Sequence, residues 1–183
     1  MIRTFVALEI PKEIIDFSFQ KIEEKINALN NFKWEPKSKL HLTLKFIGNI
    51  EETNVEKIIN ELETYLKQVS SLNLSLDKFG FFIKENKPKI FWLGLKENDK
   101  LSKLASEIDE IISKYGIEKE KRKFKPHITY LRVKGNEDLT QLMKLKEIFL
   151  EEKNFTANKI HLFKSDLLKT GSVYTSLKEF QLK

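Results

Sequence analysis

Lys39-Leu40-His41-Leu42-Thr43-Leu44-Lys45-Phe46-Ile47-Gly48 is echoed much later in the chain by Lys125-Pro126-His127-Ile128-Thr129-Tyr130-Leu131-Arg132. Each segment alternates apolar with polar side chains, the period of a β-strand, so residues two apart share a face. His41 then stands beside Thr43, and His127 beside Thr129. Two of the chain's 3 histidines fall in the same short pattern, H-x-T, inside strands that are otherwise apolar. Packing gives no reason for the repetition, because a polar side chain in such a place must be hydrogen-bonded or it costs stability. Chemistry does give one. An imidazole with an ordinary pKa of about 6.5 gives or takes a proton near neutral pH, and a neighbouring hydroxyl donates a hydrogen bond to an anion. Facing one cleft, the two units would supply an acid, a base and a cradle for a phosphate.

Working outward, residues 4–10 alternate as a strand that Pro11 closes. Ile15, Phe19, Ile22, Ile26 and Leu29 recur at spacings of four and three, an amphipathic helix ended by Asn30-Asn31. The residue before Pro36 is pushed out of the helical region, so residues 32–36 form an extended lead into the first H-x-T strand. A second helix carries Val55, Ile58, Ile59, Leu62, Tyr65, Leu66 and Val69. A strand follows from Leu72, with a bend at Gly80, and a polar turn over residues 84–89 leads to Ile90-Phe91-Trp92-Leu93-Gly94-Leu95, apolar enough to be buried on both faces. Asn98 or Asp99 caps a third helix that ends near Gly116. The charged run over residues 118–125 reads as a solvated loop, or as lysines guiding RNA towards His127. Pro126 suits the first residue of a strand. After Gly135-Asn136, Leu139, Leu142, Leu145, Ile148 and Phe149 mark a fourth helix, and residues 155–163 and 172–182 form two closing strands around Lys169-Thr170-Gly171. The expected fold is α+β: two pseudo-symmetric lobes, each an antiparallel sheet with two helices on its outer face, enclosing a central cleft to which each lobe contributes one H-x-T strand.

Composition sets bounds. A chain of 183 residues, 40% hydrophobic, buries a substantial core. The formal charge of +6 favours acidic partners such as the phosphates of RNA. With no cysteine there is no disulfide, no thiolate-ligated zinc and no thiol nucleophile. No apolar run reaches the roughly 20 residues of a membrane helix, and the opening residues do not form a signal peptide, so a cytoplasmic protein without membrane association is expected. His161, lacking a threonine two residues on, reads as a strand residue without catalytic duty. Trp34, Trp92 and Tyr130 read as core.

The paired motif, together with Arg3-x-Phe5-x-Ala7, Trp34, Phe91-Trp92-Leu93-Gly94-Leu95, Phe124-Lys125-Pro126, Leu162-Phe163-Lys164-Ser165, Gly171 and Tyr174, resembles the two-histidine phosphoesterases. Within them it resembles the branch of RNA 2′,3′-cyclic phosphodiesterases, also called 2′-5′ RNA ligases. The likeness runs the length of the chain, which implies a single bilobal domain over residues 1–183, expected as a monomer. The family's extended motifs, H-x-T-x-x-F and H-x-T-x-x-R, stand here as His41-Thr43-Phe46 and His127-Thr129-Arg132. The resemblance implies that His41 is the proton donor to the departing ribose O3′ and His127 the proton acceptor from water. It implies that Thr43 and Thr129 hydrogen-bond the phosphate, that Arg132 grips its oxygens and that Phe46 stacks on the terminal base. The substrate would be RNA with a 2′,3′-cyclic phosphate end and the product a 2′-phosphate, with no cofactor and no metal.

Physical reasoning is consistent with these roles. In-line attack at phosphorus puts water and leaving oxygen on opposite sides, which suits two imidazoles on opposite walls. A strained cyclic phosphate has an alkoxide leaving group that an acid can protonate, so a metal is not required. A guanidinium is a planar bidentate donor where lysine is a point charge. Phe46 and Arg132 pose a geometric difficulty, since in a regular strand both have the opposite parity to their histidines: either the strand bends or ends before them, as Gly48 and Gly135 permit, or they are structural, with Phe46 packing in the core. Alternatives of other classes are 2′-5′ ligation of RNA halves by the same residues, a non-catalytic module that binds RNA ends, and a small cyclic nucleotide as substrate.

Overall fold

The computed structural model describes residues 1–26, 32–133, 135, 138–148, 150, 153–169 and 171–183. In chain order the elements are β1 (Ile2–Glu9), α1 (Lys12–Glu23), β2 (His41–Ile50), α2 (Glu52–Leu66), β3 (Leu72–Lys84), β4 (Lys87–Leu95), α3 (Asp99–Ser113), β5 (His127–Arg132), α4 (Thr140–Lys144), β6 (Asn154–Ala157), β7 (Lys159–Leu168) and β8 (Gly171–Gln181). The strands form one antiparallel sheet in the order β6-β3-β4-β5-β2-β1-β7-β8. The fold is α+β with two lobes, as the alternation of patterns implies. Among the described residues no helix is long and apolar enough to cross a membrane.

The lobes meet at a narrow seam. β2 and β5 share the register pair Leu42 with Ile128, whereas β1 and β2 pair along most of their length. Leu42 and Ile128 are both fully buried, so their neighbours point the other way, into the cleft between the lobes. The antiparallel run around that pair sets His41 level with Thr129 and Thr43 level with His127. A pseudo-twofold arrangement of the two motifs follows from this single register.

Helices cover the lobes in pairs, but the chain interleaves them. α3 packs on β2, and α2 packs on α3 and β8. α1 crosses to the other lobe, where Phe19 lies 5.3 Å from the Tyr130 ring of β5 and Ser18 hydrogen-bonds the Tyr130 hydroxyl. Leu142 and Leu145, in and after α4, are fully buried, and the Leu150 amide donates to Asp77 of β3. Asn98 caps α3 by accepting from the Leu101 amide at 3.0 Å.

Some expectations need correction. The closing strand expected over residues 155–163 is two strands. β6 pairs with β3 at one edge of the sheet and β7 with β1 near the other, and between them the Asn158 carbonyl accepts from Leu182 and from the Gln181 side chain. The bend expected at Gly80 is a register shift between Leu76 and Phe79; Gly80 instead leaves room for Trp92, whose indole would stand 2.5 Å from a Cβ there. Glu85 and Asn86, both at positive φ, close the β3–β4 hairpin in two residues. Leu29, Asn30, Asn31, Asn136, Phe149 and Thr170 lie outside the described residues.

Candidate active site

His41, Thr43, Phe46, His127, Thr129 and Arg132 line one cleft of about 410 Å3, together with Arg3, Phe5, Glu35, Lys39, Ser172 and Tyr174. The parity difficulty is resolved by β-bulges. Ala7 pairs with Thr43 but Val6 with Lys45, so Leu44 is an extra residue in β2. Trp92 pairs with Thr129 but Phe91 with Leu131, so Tyr130 is the matching extra residue in β5. Each bulge reverses the alternation once, turning Phe46 and Arg132 onto the cleft face. The bends therefore lie at Leu44 and Tyr130, upstream of the glycines expected to supply them.

The bulges have costs that the fold offsets. Turning Phe46 outward turns Lys45 inward, where it is 7% exposed. Its ammonium forms an ion pair with Asp109 of α3 and donates to the Glu118 carbonyl at 2.8 Å, as a buried charge requires. Tyr130 is fully buried and its hydroxyl is satisfied by Ser18. The Tyr130 carbonyl accepts from the Glu35 amide at 2.8 Å, and the Glu35 carboxylate reaches back to Arg132, 3.7 Å from Nε.

The two histidines are held in the same way. His41 Nδ1 donates to the Lys39 carbonyl at 2.7 Å, and His127 Nδ1 donates to the Lys125 carbonyl at 2.7 Å. A carbonyl only accepts, so the proton of each neutral ring sits on Nδ1 and Nε2 carries a lone pair. The Thr43 hydroxyl lies 3.2 Å from His41 Nε2. Each ring also has an aromatic edge partner: Tyr174 against His41 at 5.5 Å and Phe82 against His127 at 4.7 Å. The same two lysines sit over these aromatics, Lys39 over Tyr174 and Lys125 over Phe82. The sequence reading did not place Lys39, Phe82 and Tyr174 in the site, and offered Lys125 only as one of a run of lysines guiding RNA towards His127. A K-x-H repeat ahead of each threonine was the available signal for the lysines.

The environment favours neutral rings. Burial among Phe5, Phe163 and Tyr174 lowers the His41 pKa to about 4, opposed by the bond to Lys39 and helped by the charges of Arg132 and His127. His127 is lowered too, first by burial, then by Lys125 and Arg132 against the bond to the Lys125 carbonyl. The cleft therefore presents two lone pairs beside the Arg132 guanidinium, which Glu35 pairs only at 3.7 Å, a setting that an anion completes. Arg3 adds a second guanidinium, stacked on Phe46 at 4.9 Å, which the sequence reading did not place in the site.

The other expectations divide. Lys119, Lys121, Arg122 and Lys123 of the charged loop pair with Glu110, Glu118, Glu120 and Glu97 and face solvent, as a solvated loop would, whereas Lys125 helps build the site. Trp92 is core. His161 is a strand residue bonded to Glu9 and Ser176.

Residues 10–167 match the model of the 2′-5′ RNA ligase superfamily. The RNA 2′,3′-cyclic phosphodiesterase of Thermotoga maritima is 30% identical over 98% of this chain and 95% of its own. The protein of the same name from Methanocaldococcus jannaschii is 32% identical over 97% of this chain and 99% of its own. Among solved structures, TT0787 of Thermus thermophilus superposes with a TM-score of 0.85 at 23% identity, covering 99% of this chain and 98% of that one.

Proposed function

The chain belongs to the 2′-5′ RNA ligase superfamily, and from that premise we propose that it hydrolyses the 2′,3′-cyclic phosphate at an RNA end to a 2′-phosphomonoester. One observation carries the reading: two imidazoles, each with its Nδ1 proton tied to a backbone carbonyl, open on the same cleft beside Arg132. The relatives' shared name supports the substrate class.

In the proposed reaction the cyclic phosphate sits between the rings with its non-bridging oxygens towards Arg132, Thr43 and Thr129. Water attacks phosphorus opposite O3′. His127, neutral near pH 7 because burial lowers its pKa, takes the water proton on Nε2. The P–O3′ bond breaks, and protonated His41 gives its Nε2 proton to O3′. Each proton transfer is worth roughly 10²–10⁴-fold in rate. His41 becomes a usable acid once the anion's charge offsets the burial and the neighbouring positive charges that hold its pKa down. Phe46, half exposed and backed by Arg3, offers its face to the terminal base.

Incubating the protein with an oligoribonucleotide carrying a 2′,3′-cyclic end and identifying the terminal phosphate tests the reading. A 2′-monophosphate is expected; a 3′-monophosphate, or stoichiometric binding without product, contradicts it. Replacing water by the 5′-hydroxyl of a second RNA would run the same residues towards a 2′-5′ linkage. Hydrolysis ranks first because ligation needs a second RNA end held in line.

A further inference from the structure

We propose that Glu9, His161 and Glu179 form a divalent-cation site of the zinc class, separate from the catalytic cleft. The three residues come from β1, β7 and β8, whose register pairs His161 with Ala7 and with Glu179. Side chains two apart share a face, so Glu9 joins His161 and Glu179 on the concave side of the sheet. One donor atom from each lies within 4.8 Å of the other two. Nε2 is 2.9 Å from Glu9 Oε2 and 3.9 Å from Glu179 Oε2. These values bracket the separation of about 3.4 Å between neighbouring ligands of a tetrahedral ion with bonds of about 2.0–2.2 Å.

His161 is built as a ligand is built. Its side chain is 10% exposed and the ring stacks on Phe163 at 5.0 Å and 17°, while the Ser176 hydroxyl holds Nδ1 at 3.0 Å. A ligating histidine is oriented in this manner, by a polar partner on its other nitrogen. One ring proton can bridge to only one of the two carboxylates. Lys159 neutralises part of Glu179, but through Oε1, at 3.4 Å, which leaves Oε2 facing Glu9 and the ring. A cation at the centre of the three donors satisfies both carboxylates together. Glu9 and His161 border a groove of about 780 Å3 that shares Lys39, His41 and Tyr174 with the catalytic cleft. An open coordination position there would face solvent or an anionic group in the groove.

Calorimetric titration of EDTA-treated, desalted protein with zinc chloride near pH 7 tests the site without reference to activity. One saturable ion per chain is expected, retained in a His41→Ala/His127→Ala double variant and weakened at least tenfold in Glu9→Gln/Glu179→Gln, whose half-exposed carboxamides leave the core untouched. His161→Ala, checked by circular dichroism, should behave as the glutamine variant does. Three outcomes overturn the proposal: no saturable binding to the wild type, unchanged affinity in the glutamine variant, or loss of binding in the double histidine variant, which would place the ion in the catalytic cleft.

Discussion

Filling the cleft with adenosine 2′-phosphate should raise the His41 pKa from about 4 to 7 or above. In the free protein burial, Arg132 and His127 all favour the neutral ring, so at pH 7 about one ring in a thousand carries the proton that the proposed acid must give. A single negative charge about 4 Å from Nε2, at an effective dielectric of about 20, contributes about 4 kcal/mol. At 1.36 kcal/mol per unit that is a rise of about 3 units, and the second charge of a monophosphate adds to it. Ring-proton NMR reads the shift directly, with the 3 histidines assigned by single substitutions and titrated with and without ligand. A His41 resonance that still titrates below about 5 in the saturated complex would refute the assignment of this ring as proton donor, because too little acid would be present at neutral pH.

Further outcomes follow from the same geometry. Because the fold holds His41 below its ordinary 6.5, at about 4, the associated stability is fully present above about pH 6.5. It is lost as pH falls through about 4, by about 3 kcal/mol in all; urea melts across that range should show the loss in the wild type and a flatter profile in His41→Gln. His127, lowered as well, adds a contribution of the same sign. Lys45→Met should destabilise the fold by about 1–3 kcal/mol, since the largely buried Asp109 carboxylate would keep the Glu120 amide but lose its ammonium partner, and a melt unchanged by the substitution would remove the ion pair from the reason for the bulge. Arg132→Lys keeps the charge but loses the planar fork, so kcat should fall by at least tenfold with the melting temperature unchanged; a wild-type rate would place the guanidinium off the reacting phosphate.

The fold class was legible because binary pattern and period agree over long segments. The amphipathic stripes of α1, α2 and α3 and the buried run of β4 follow from side-chain spacing alone. The paired H-x-T strands were legible as well, since polar residues repeated inside apolar strands ask for a reason. What was not legible depends on partners distant in the chain. Lys45 reads as a surface lysine until α3 brings Asp109 against it, so nothing local announces the bulge at Leu44 that turns Phe46 into the cleft. Tyr130 likewise needs Ser18 of α1. The break at Asn158 is invisible in a continuous strand-like pattern, because it is made by hydrogen bonds from the end of the chain. Tyr174 and Phe82 take their places beside the histidines only through the pairing of strands.

The proposed reaction requires the rings of His41 and His127 to act together on one phosphorus atom. Turnover of a cyclic-ended oligoribonucleotide by His41→Ala and by His127→Ala, each shown folded by circular dichroism, tests it most directly. Each substitution alone should lower kcat by roughly 10²-fold or more, and a rate near wild type in either variant would contradict the account.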